Sequence, residues 1–411
     1  PVLGEGAGGS EGCIREGVCV MKAVKFLLVD YSVSSRDIRE VAVLEDMGAD
    51  VSVVSQIVPE KLPDSIDEVI RWTKTTPQQS PVIRKAIIAK NWVSAAAQLR
   101  KLDCEVLSCH NIYALFIGWL STVVRSDRPE LVYDAHELEV ARNVGGGARG
   151  GLGGKVIARL ERFLMRRCAF TIAVNDSIAD EMLAVHGLPG SMRPVVVRST
   201  PSYWEYDAEA VARNRAGFCR ELGVDPDTAF LAMYHGGLMP DRGIEQIIEA
   251  VSRVEGCRLV VMGNGDDAYA GELRVLADAC GVADRVLFHP AVDRGVLESH
   301  VAAADVGLAL IQNVARSYYL SLPNKFFENI QAEVPIIASN FPEMSHLVEE
   351  YGIGLTANPC EISEIAACLE RMRDDAALRQ SCKEGLKEAK GDLCWEREQA
   401  VLRDAYGKAF A

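Results

Sequence analysis

SLPNKFFENIQAEVPIIASN, residues 321–340, sets a helical pattern directly against an almost wholly apolar run, VPIIAS, with Lys325 and Glu328 near the start of the helix. A helix feeding a strand that is polar on neither face is the unit of a parallel sheet covered by helices on both sides. Three-residue spacing puts Lys325 and Glu328 side by side on one helical face, with Asn324 beside them and Pro323 in front. The first turn of a helix offers unsatisfied N–H groups and the positive end of its dipole, a place suited to an anion. The plainer expectation is a surface helix capped by Ser321, whose Lys and Glu form a solvated pair.

Outward from this stretch the alternation continues. TAFLAMYH (228–235), RLVVMG (258–263), RVLFHP (285–290), DVGLALI (305–311) and GIGLTA (352–357) read as strands, with helical patterns at 243–253, 271–279, 295–303, 323–331 and 342–350. An earlier series starts at VKFLLVD (24–30), passes through a glycine-closed helix at 36–48, DVSVVS (50–55), a helix at 86–102 and EVLSC (105–109), and continues with LVYDA (131–135), a helix around 155–167, FTIAV (170–174) and PVVVR (194–198). Residues 199–227 carry turn formers and no strand pattern, and mark the junction. The expected fold is α/β, two Rossmann-like doubly wound domains facing an interdomain cleft, with ligands at the carboxyl ends of the strands. The boundaries expected are an N-terminal extension at 1–20, a first domain at 21–205, a second at 206–392 and a terminal helix at 393–411.

Composition agrees with this reading. A chain of 411 residues exceeds what one core usually organises, and two domains of roughly 200 residues are the natural solution. The net charge of −14 disfavours nucleic acid as the main partner, although a local basic patch can still hold phosphate. The twelve cysteines are scattered, without C-x-x-C or zinc spacing, which fits a reduced, cytoplasmic setting. IYALFIGWLSTVV (112–124) falls short of the about 18 to 20 residues that span a bilayer and reads as a buried helix. The glycine-rich start lacks a signal-peptide pattern, and folded sequence is expected from Met21.

Several stretches carry chemistry. YHGGLMPDRGIEQIIEA (234–250) is a strand, a loop with Gly236 and Gly237, and a helix whose start bears Arg242; glycines admit close backbone approach and an arginine clamps phosphate oxygens. VVMGNGDDA (260–268), with Gly263, matches the dinucleotide fingerprint only in its weak form and follows the wrong strand, which disfavours hydride transfer. VYDAHELEVARN (132–143) places His136 and Glu137 at a strand end, where a histidine can orient a hydroxyl or receive its proton; SCHNIYAL repeats the arrangement with His110. The glycine-rich segment 143–155 reads as a lid or a slack connection. Asp225-Pro226-Asp227 lies among turn residues and reads as a turn, so no metal is expected.

Taken in order, VYDAHEL, YHGGLMPDRGIEQIIEA, FHPAVDRGVLESHVAAADVGLAL and LPNKFFENIQAEVPIIASNFPEM resemble the family-4 glycosyltransferases of GT-B fold (glycosyl transferases group 1), over nearly the whole chain. The resemblance implies a retaining, metal-independent, cofactor-free transfer of a hexosyl group from a nucleotide diphosphate sugar, of the UDP or GDP type, to a glycan, glycolipid or small-molecule acceptor. It implies an acceptor-binding first domain, a donor-binding second domain and a last helix crossing back to the first. His136, Arg242 and Lys325 take the catalytic positions. Gly236, Gly237, Arg242, Gly263, Asn324, Lys325 and Glu328 take the donor site, with Glu328 on the ribose, and His110 and Glu137 stand on the acceptor side. The sequence departs from the family where its first paired glutamate is replaced by Leu320, and where Pro323 removes a backbone donor.

A nucleotide-sugar epimerase of the same architecture and a non-catalytic sugar-nucleotide-binding homologue are the rival readings. The helix spanning 84–101, with Arg84, Lys85, Lys90, Arg100 and Lys101 among apolar residues, either packs on its sheet or docks on the inner face of the cell membrane.

Overall fold

The computed structural model describes residues 23–28, 33–55, 68–69, 80–123, 125–138, 152–205 and 207–410. The expected N-terminal extension and the glycine-rich segment up to residue 151 lie outside the described residues. The first half of the chain runs β1 (Ala23–Leu28), α1 (Ser35–Asp46), β2 (Asp50–Ser55), β3 (Glu68–Val69), α2 (Pro81–Leu99), β4 (Val106–His110), α3 (Ile112–Thr122), β5 (Glu130–Ala135), α4 (Leu152–Met165), β6 (Cys168–Ala173), α5 (Asp176–His186) and β7 (Val195–Val196). The second runs α6 (Ala208–Glu221), β8 (Phe230–His235), α7 (Ile244–Arg253), β9 (Cys257–Met262), α8 (Asp267–Ala279), β10 (Val286–His289), α9 (Arg294–Val301) and β11 (Val306–Ala309). It continues through α10 (Arg316–Tyr319), α11 (Asn324–Gln331), β12 (Ile336–Ser339), α12 (Pro342–Tyr351), β13 (Gly354–Ala357), α13 (Ile362–Asp374), α14 (Ala376–Asp392) and α15 (Trp395–Phe410).

These elements form two sheets, ordered β3-β2-β1-β4-β5-β6-β7 and β10-β9-β8-β11-β12-β13. Each pairing is parallel. Strands such as LVYDA in β5 and FLAMYH in β8 are buried on both faces because helices cover both sides. In α7, Ile244, Ile247, Ile248 and Val251 recur at helical spacing, and each is fully enclosed in the core of the second sheet. In each sheet the strand order reverses beside the first strand, between β1 and β4 and between β8 and β11. Those two switch points put the ends of β1, β4 and β8 where an open α/β sheet binds its ligand.

The structure differs from the sequence reading in places. The segment 199–227, read only as a junction, contains the helix α6, started by Asp207 whose carboxylate accepts from the N–H groups of Glu209 and Ala210. Asp225 caps its own turn, accepting from Asp227 N–H and from Thr228 Oγ1. The last helix, α15, lies against α1 and the first sheet. Tyr406 sits edge-on to Phe170 and its hydroxyl donates to Ser108, while Glu398 accepts from Arg198 N–H.

Candidate functional site

The second-sheet wall of the site begins at His235, the last residue of β8. Gly236 follows with φ +123°, a conformation that strains any side chain, and a Cβ there would already meet the Lys325 ammonium arm at 3.6 Å. Gly243, φ +75°, then starts α7, where a Cβ would lie 2.1 Å from the Leu310 carbonyl oxygen. The chain therefore turns tightly twice and carries Arg242 to the cavity between those turns.

α11 is not the surface helix of the plainer expectation. Every residue from Lys325 to Gln331 is buried. Ser321 does not cap it, because its hydroxyl donates to Tyr318 O at 2.9 Å. Pro323 holds the cap position and supplies no side-chain acceptor, so the first turn has no side-chain cap among the described residues. Lys325 Nζ stands 3.5 Å from the centroid of the Tyr234 ring. Burial, together with the nearby Arg242 cation, pushes its pKa well below that of an ordinary lysine. One turn on, Glu328 Oε2 lies 3.0 Å from His235 Nε2, and Arg294 Nη1 is 3.9 Å from Oε1. Burial alone would raise the Glu328 pKa, but the His235 hydrogen bond and the surrounding cations lower it.

The first-sheet wall is a buried ionic network. Ser34 starts α1 in a capping box with Asp37, whose Oδ2 accepts from Ser34 N–H at 2.7 Å. The other oxygen, Oδ1, is 3.1 Å from His110 Nδ1. Arg36 reaches across to Asp134 at the end of β5, with Nη2 3.2 Å from Oδ2, and pairs along its own helix with Glu40 at 2.8 Å. His136 Nε2 lies 3.3 Å from Asp134 Oδ2 and 3.3 Å from His110 Nδ1. Donation of His110 Nδ1–H to Asp37 and of His136 Nε2–H to Asp134 gives each carboxylate a donor and fixes both rings. Against the cost of burial, hydrogen bonding to His110 lowers the Asp37 pKa to about 2, and Arg36 with His136 depresses Asp134 further. Glu40 goes the other way, to about 8, through burial and the neighbouring carboxylates, against the pull of Arg36. Asp37, His110 and His136 bring ligand-type atoms within 4.8 Å of one another, but the Arg36 guanidinium already supplies positive charge to this cluster.

One cavity of about 560 Å³ is lined by both walls, including Arg36, His136 and Glu137 from the first and Gly236, Gly237, Arg242, Asn324, Lys325 and Glu328 from the second. The structure thus gathers most of the residues singled out in the sequence. Two are placed elsewhere. His110 is wholly buried behind His136 and does not line this cavity. Gly263 lines a neighbouring cavity of about 330 Å³, and a Cβ on it would meet Gly236 O at 1.8 Å, so its role here is to let two loops pack. Sequence reading missed His235, Arg294 and Arg36. His235 immediately precedes the glycine pair, the one signal that could have found it.

Leu320, which replaces the expected glutamate, is buried among the apolar residues of the first sheet's core, and its carbonyl accepts from Asn175 Nδ2 at 2.7 Å. Burying such a side chain is worth about 2 kcal/mol, so this position joins the two halves rather than facing a ligand. Ser177 N–H donates to Glu343 Oε1 at 2.7 Å and Arg316 pairs with Glu181 at 3.0 Å, closing the same seam.

Two family descriptions match the chain, "Glycosyltransferase Family 4" over residues 38–197 and "Glycosyl transferases group 1" over 220–389. Alpha-D-kanosaminyltransferase of Streptomyces kanamyceticus is 25% identical over 229 residues, 54% of this chain and 56% of that protein. The chain spans about half the length of the curated relatives it matches. Among solved structures, sucrose-phosphate synthase from Thermosynechococcus elongatus superposes with a TM-score of 0.72 at 17% identity, covering 95% of this chain and 99% of that one. HepE of Anabaena, solved with UDP-glucose, gives 0.70 at 15% identity over 94% and 98%. At those identities the likeness is one of fold, the two-sheet GT-B arrangement.

Proposed function

The chain belongs to the family 4 glycosyltransferases, with a group 1 region completing it, and from that premise we propose that it moves a hexosyl group from a nucleoside diphosphate sugar of the UDP or GDP type to a hydroxyl of a glycan, glycolipid or small-molecule acceptor. The observation that carries this reading is the Lys325 ammonium. It is buried over the Tyr234 ring beside a second cation, Arg242, and has no ion-pair partner among the described residues. A diphosphate supplies the missing negative charge.

In the proposed reaction the bond from the anomeric carbon to the diphosphate oxygen breaks while the acceptor oxygen attaches on the same face. The acceptor proton passes to the departing phosphate oxygen, so configuration is retained without an enzyme nucleophile. Lys325, Arg242 and the uncapped start of α11 take up the charge that develops on the leaving group. Glu328, held by His235, accepts from the ribose hydroxyls, and His136, held by Asp134, positions the sugar or the acceptor. These cations do what a divalent ion would otherwise do, and activity is expected to persist in EDTA. A nucleotide-sugar donor is also in keeping with HepE, a protein of the same fold solved with UDP-glucose.

Calorimetric titration with UDP, GDP, ADP and TDP, followed by a panel of the corresponding sugars and NMR of the product's anomeric configuration, tests the reading. One diphosphate should bind, and its sugar should transfer with retention. Absence of binding to all four refutes it, and isomerisation of the donor without acceptor replaces transfer by epimerisation.

A further inference from the structure

The outer face of the first half, formed by α2, α3 and α4, has a charge opposite to that of the molecule. The chain carries a net −14, yet the exposed charges on these helices are all positive. On α2 they are Arg84, Lys85 and Lys90. On α4 they are Lys155, Arg159 and Arg162, extended by Arg166, and the spacing places all four along one stripe of the helix. Glu161, the one acid in the three helices, is buried, accepting from the Tyr133 hydroxyl at 2.8 Å and facing His186 Nε2 at 3.1 Å. None of these basic side chains pairs with a carboxylate among the described residues.

Apolar and aromatic groups fill the space between the charges. An aromatic row crosses all three helices, Phe163 to Trp119 at 5.3 Å, Trp119 to Phe116 at 5.9 Å, Phe116 to Trp92 at 5.4 Å and Trp92 to Tyr113 at 6.1 Å. None of the five rings is fully buried. Phe163 and Val156 stand seven residues apart on the charged stripe, exposed by 38% and 55%. Val82 and Ile83, exposed by 77% and 51%, project from the start of α2 beside Arg84 and Lys85. The acids on the adjacent α5 are engaged elsewhere, Asp176 and Asp180 by Arg193 and Glu181 by Arg316.

We infer that this face lies on an anionic lipid surface, with the lysines and arginines at the headgroups and the aromatic row and exposed aliphatics at the interface. Basic side chains flanking Trp and Phe on a helical face are what such an interface selects, since the rings favour the headgroup level and each cation adds attraction to the anionic layer. The geometry also serves the cleft. Helices of a parallel sheet start at the carboxyl ends of the strands, so the beginnings of α2 and α4 lie at the same edge as His136. A lipid plane against them borders the cavity mouth. This inference concerns binding alone and stands apart from the reaction proposed above.

The test is flotation of the full chain, without donor or acceptor, on vesicles of phosphatidylcholine alone and of phosphatidylcholine mixed with phosphatidylglycerol. Binding is expected only to the mixed vesicles, with a blue shift of tryptophan emission and release by salt. Arg159→Gln with Arg162→Gln should weaken it roughly twenty-five-fold, about fivefold for each charge removed. Arg213→Gln, exposed on α6, should leave it unchanged. Phe163→Ser tests the apolar part and should weaken binding at low salt, with the charges of the face unchanged. Equal binding to both vesicle types, full binding by the folded double variant, or retention on heparin without vesicle binding would each overturn the inference.

Discussion

Two clusters of charge face one cavity and are built in opposite ways. In the first, Arg36, Asp37, Glu40, Asp134 and His110 are all buried, and each has a partner within the cluster. In the second, Lys325, Arg242 and Arg294 outnumber the one carboxylate that faces them, Glu328, which is itself tied to His235. A cluster that answers its own charges holds a side chain in place, here His136. A cluster with surplus cations stores potential for an incoming anion and does not reorganise when that anion arrives. The difference separates a rigid frame from the proposed binding device within one cleft.

The sharpest way to break the comparison is to unbalance the frame. Asp134→Ala leaves the Arg36 guanidinium buried without its main carboxylate, and removing one member of a buried pair costs about 3–5 kcal/mol. Urea denaturation should show that loss, and Arg36→Met in the same chain should recover much of it. An unchanged midpoint for Asp134→Ala would mean that the frame bears no weight. The binding device behaves in reverse. Lys325→Ala and Arg242→Ala should each lower kcat/KM by about 100- to 1,000-fold, the scale for losing one group that stabilises developing negative charge. Lys325→Met should at the same time raise the melting temperature, because a lysine buried beside Arg242, with no ion-pair partner among the described residues, is a cost to the free protein. Near-normal turnover in both alanine variants would remove the phosphate assignment.

The two carboxylates of α1 sharpen the contrast through pH. Asp37 has a folded pKa of about 2 against an ordinary 3.8. A lowered carboxylate stabilises the fold above its unfolded value, and that contribution, about 2 kcal/mol, is lost as pH falls through 3.8 towards 2. Glu40, raised from 4.5 to about 8, has the opposite sign: its favourable share is complete below 4.5 and lost as pH rises through about 8. Stability measured by urea across this range should therefore fall at both ends. Glu40→Gln should flatten the upper limb and keep the lower one, and an upper limb that survives this change would assign it to another group.

The sheets were legible because a buried parallel strand needs a continuous apolar run, and LVVM, VGLA and PIIAS have one each. The second-sheet wall was legible for a related reason. Arg242, Lys325 and Glu328 each stand at the opening of a helix just read from its pattern, so the chemistry and the local structure lie in one stretch. The long-range pairings behind both walls were not legible. Arg36 and Asp134 meet across 98 residues of chain, and His235 and Glu328 across 93, and no local spacing encodes such a pairing. Leu320 shows the same limit from the other side. Its sequence reads as a missing ligand group, while its surroundings make it an apolar seal between the two halves. His110, read as an acceptor-side group at a strand end, points into the interior because Asp37 from another element meets it there.

The smallest expected effect tests the device most directly. In the free protein Lys325 is held well below its ordinary pKa by burial and by Arg242. A diphosphate beside it favours the ammonium form, so its pKa rises on binding and a proton is taken up. Affinity should then fall as pH rises from the free-state pKa towards that of the complex, by at most tenfold per pH unit for a single proton. Calorimetry of nucleoside diphosphate binding in two buffers of different ionisation enthalpy reads that proton as a difference in apparent heat. Lys325→Met should abolish the difference, whereas His136→Ala, on the self-neutralised side, should leave it in place. Equal heats in both buffers for the unaltered protein would show that Lys325 enters the complex already charged, and that the surplus of cations, rather than any adjustment of their protonation, does the binding.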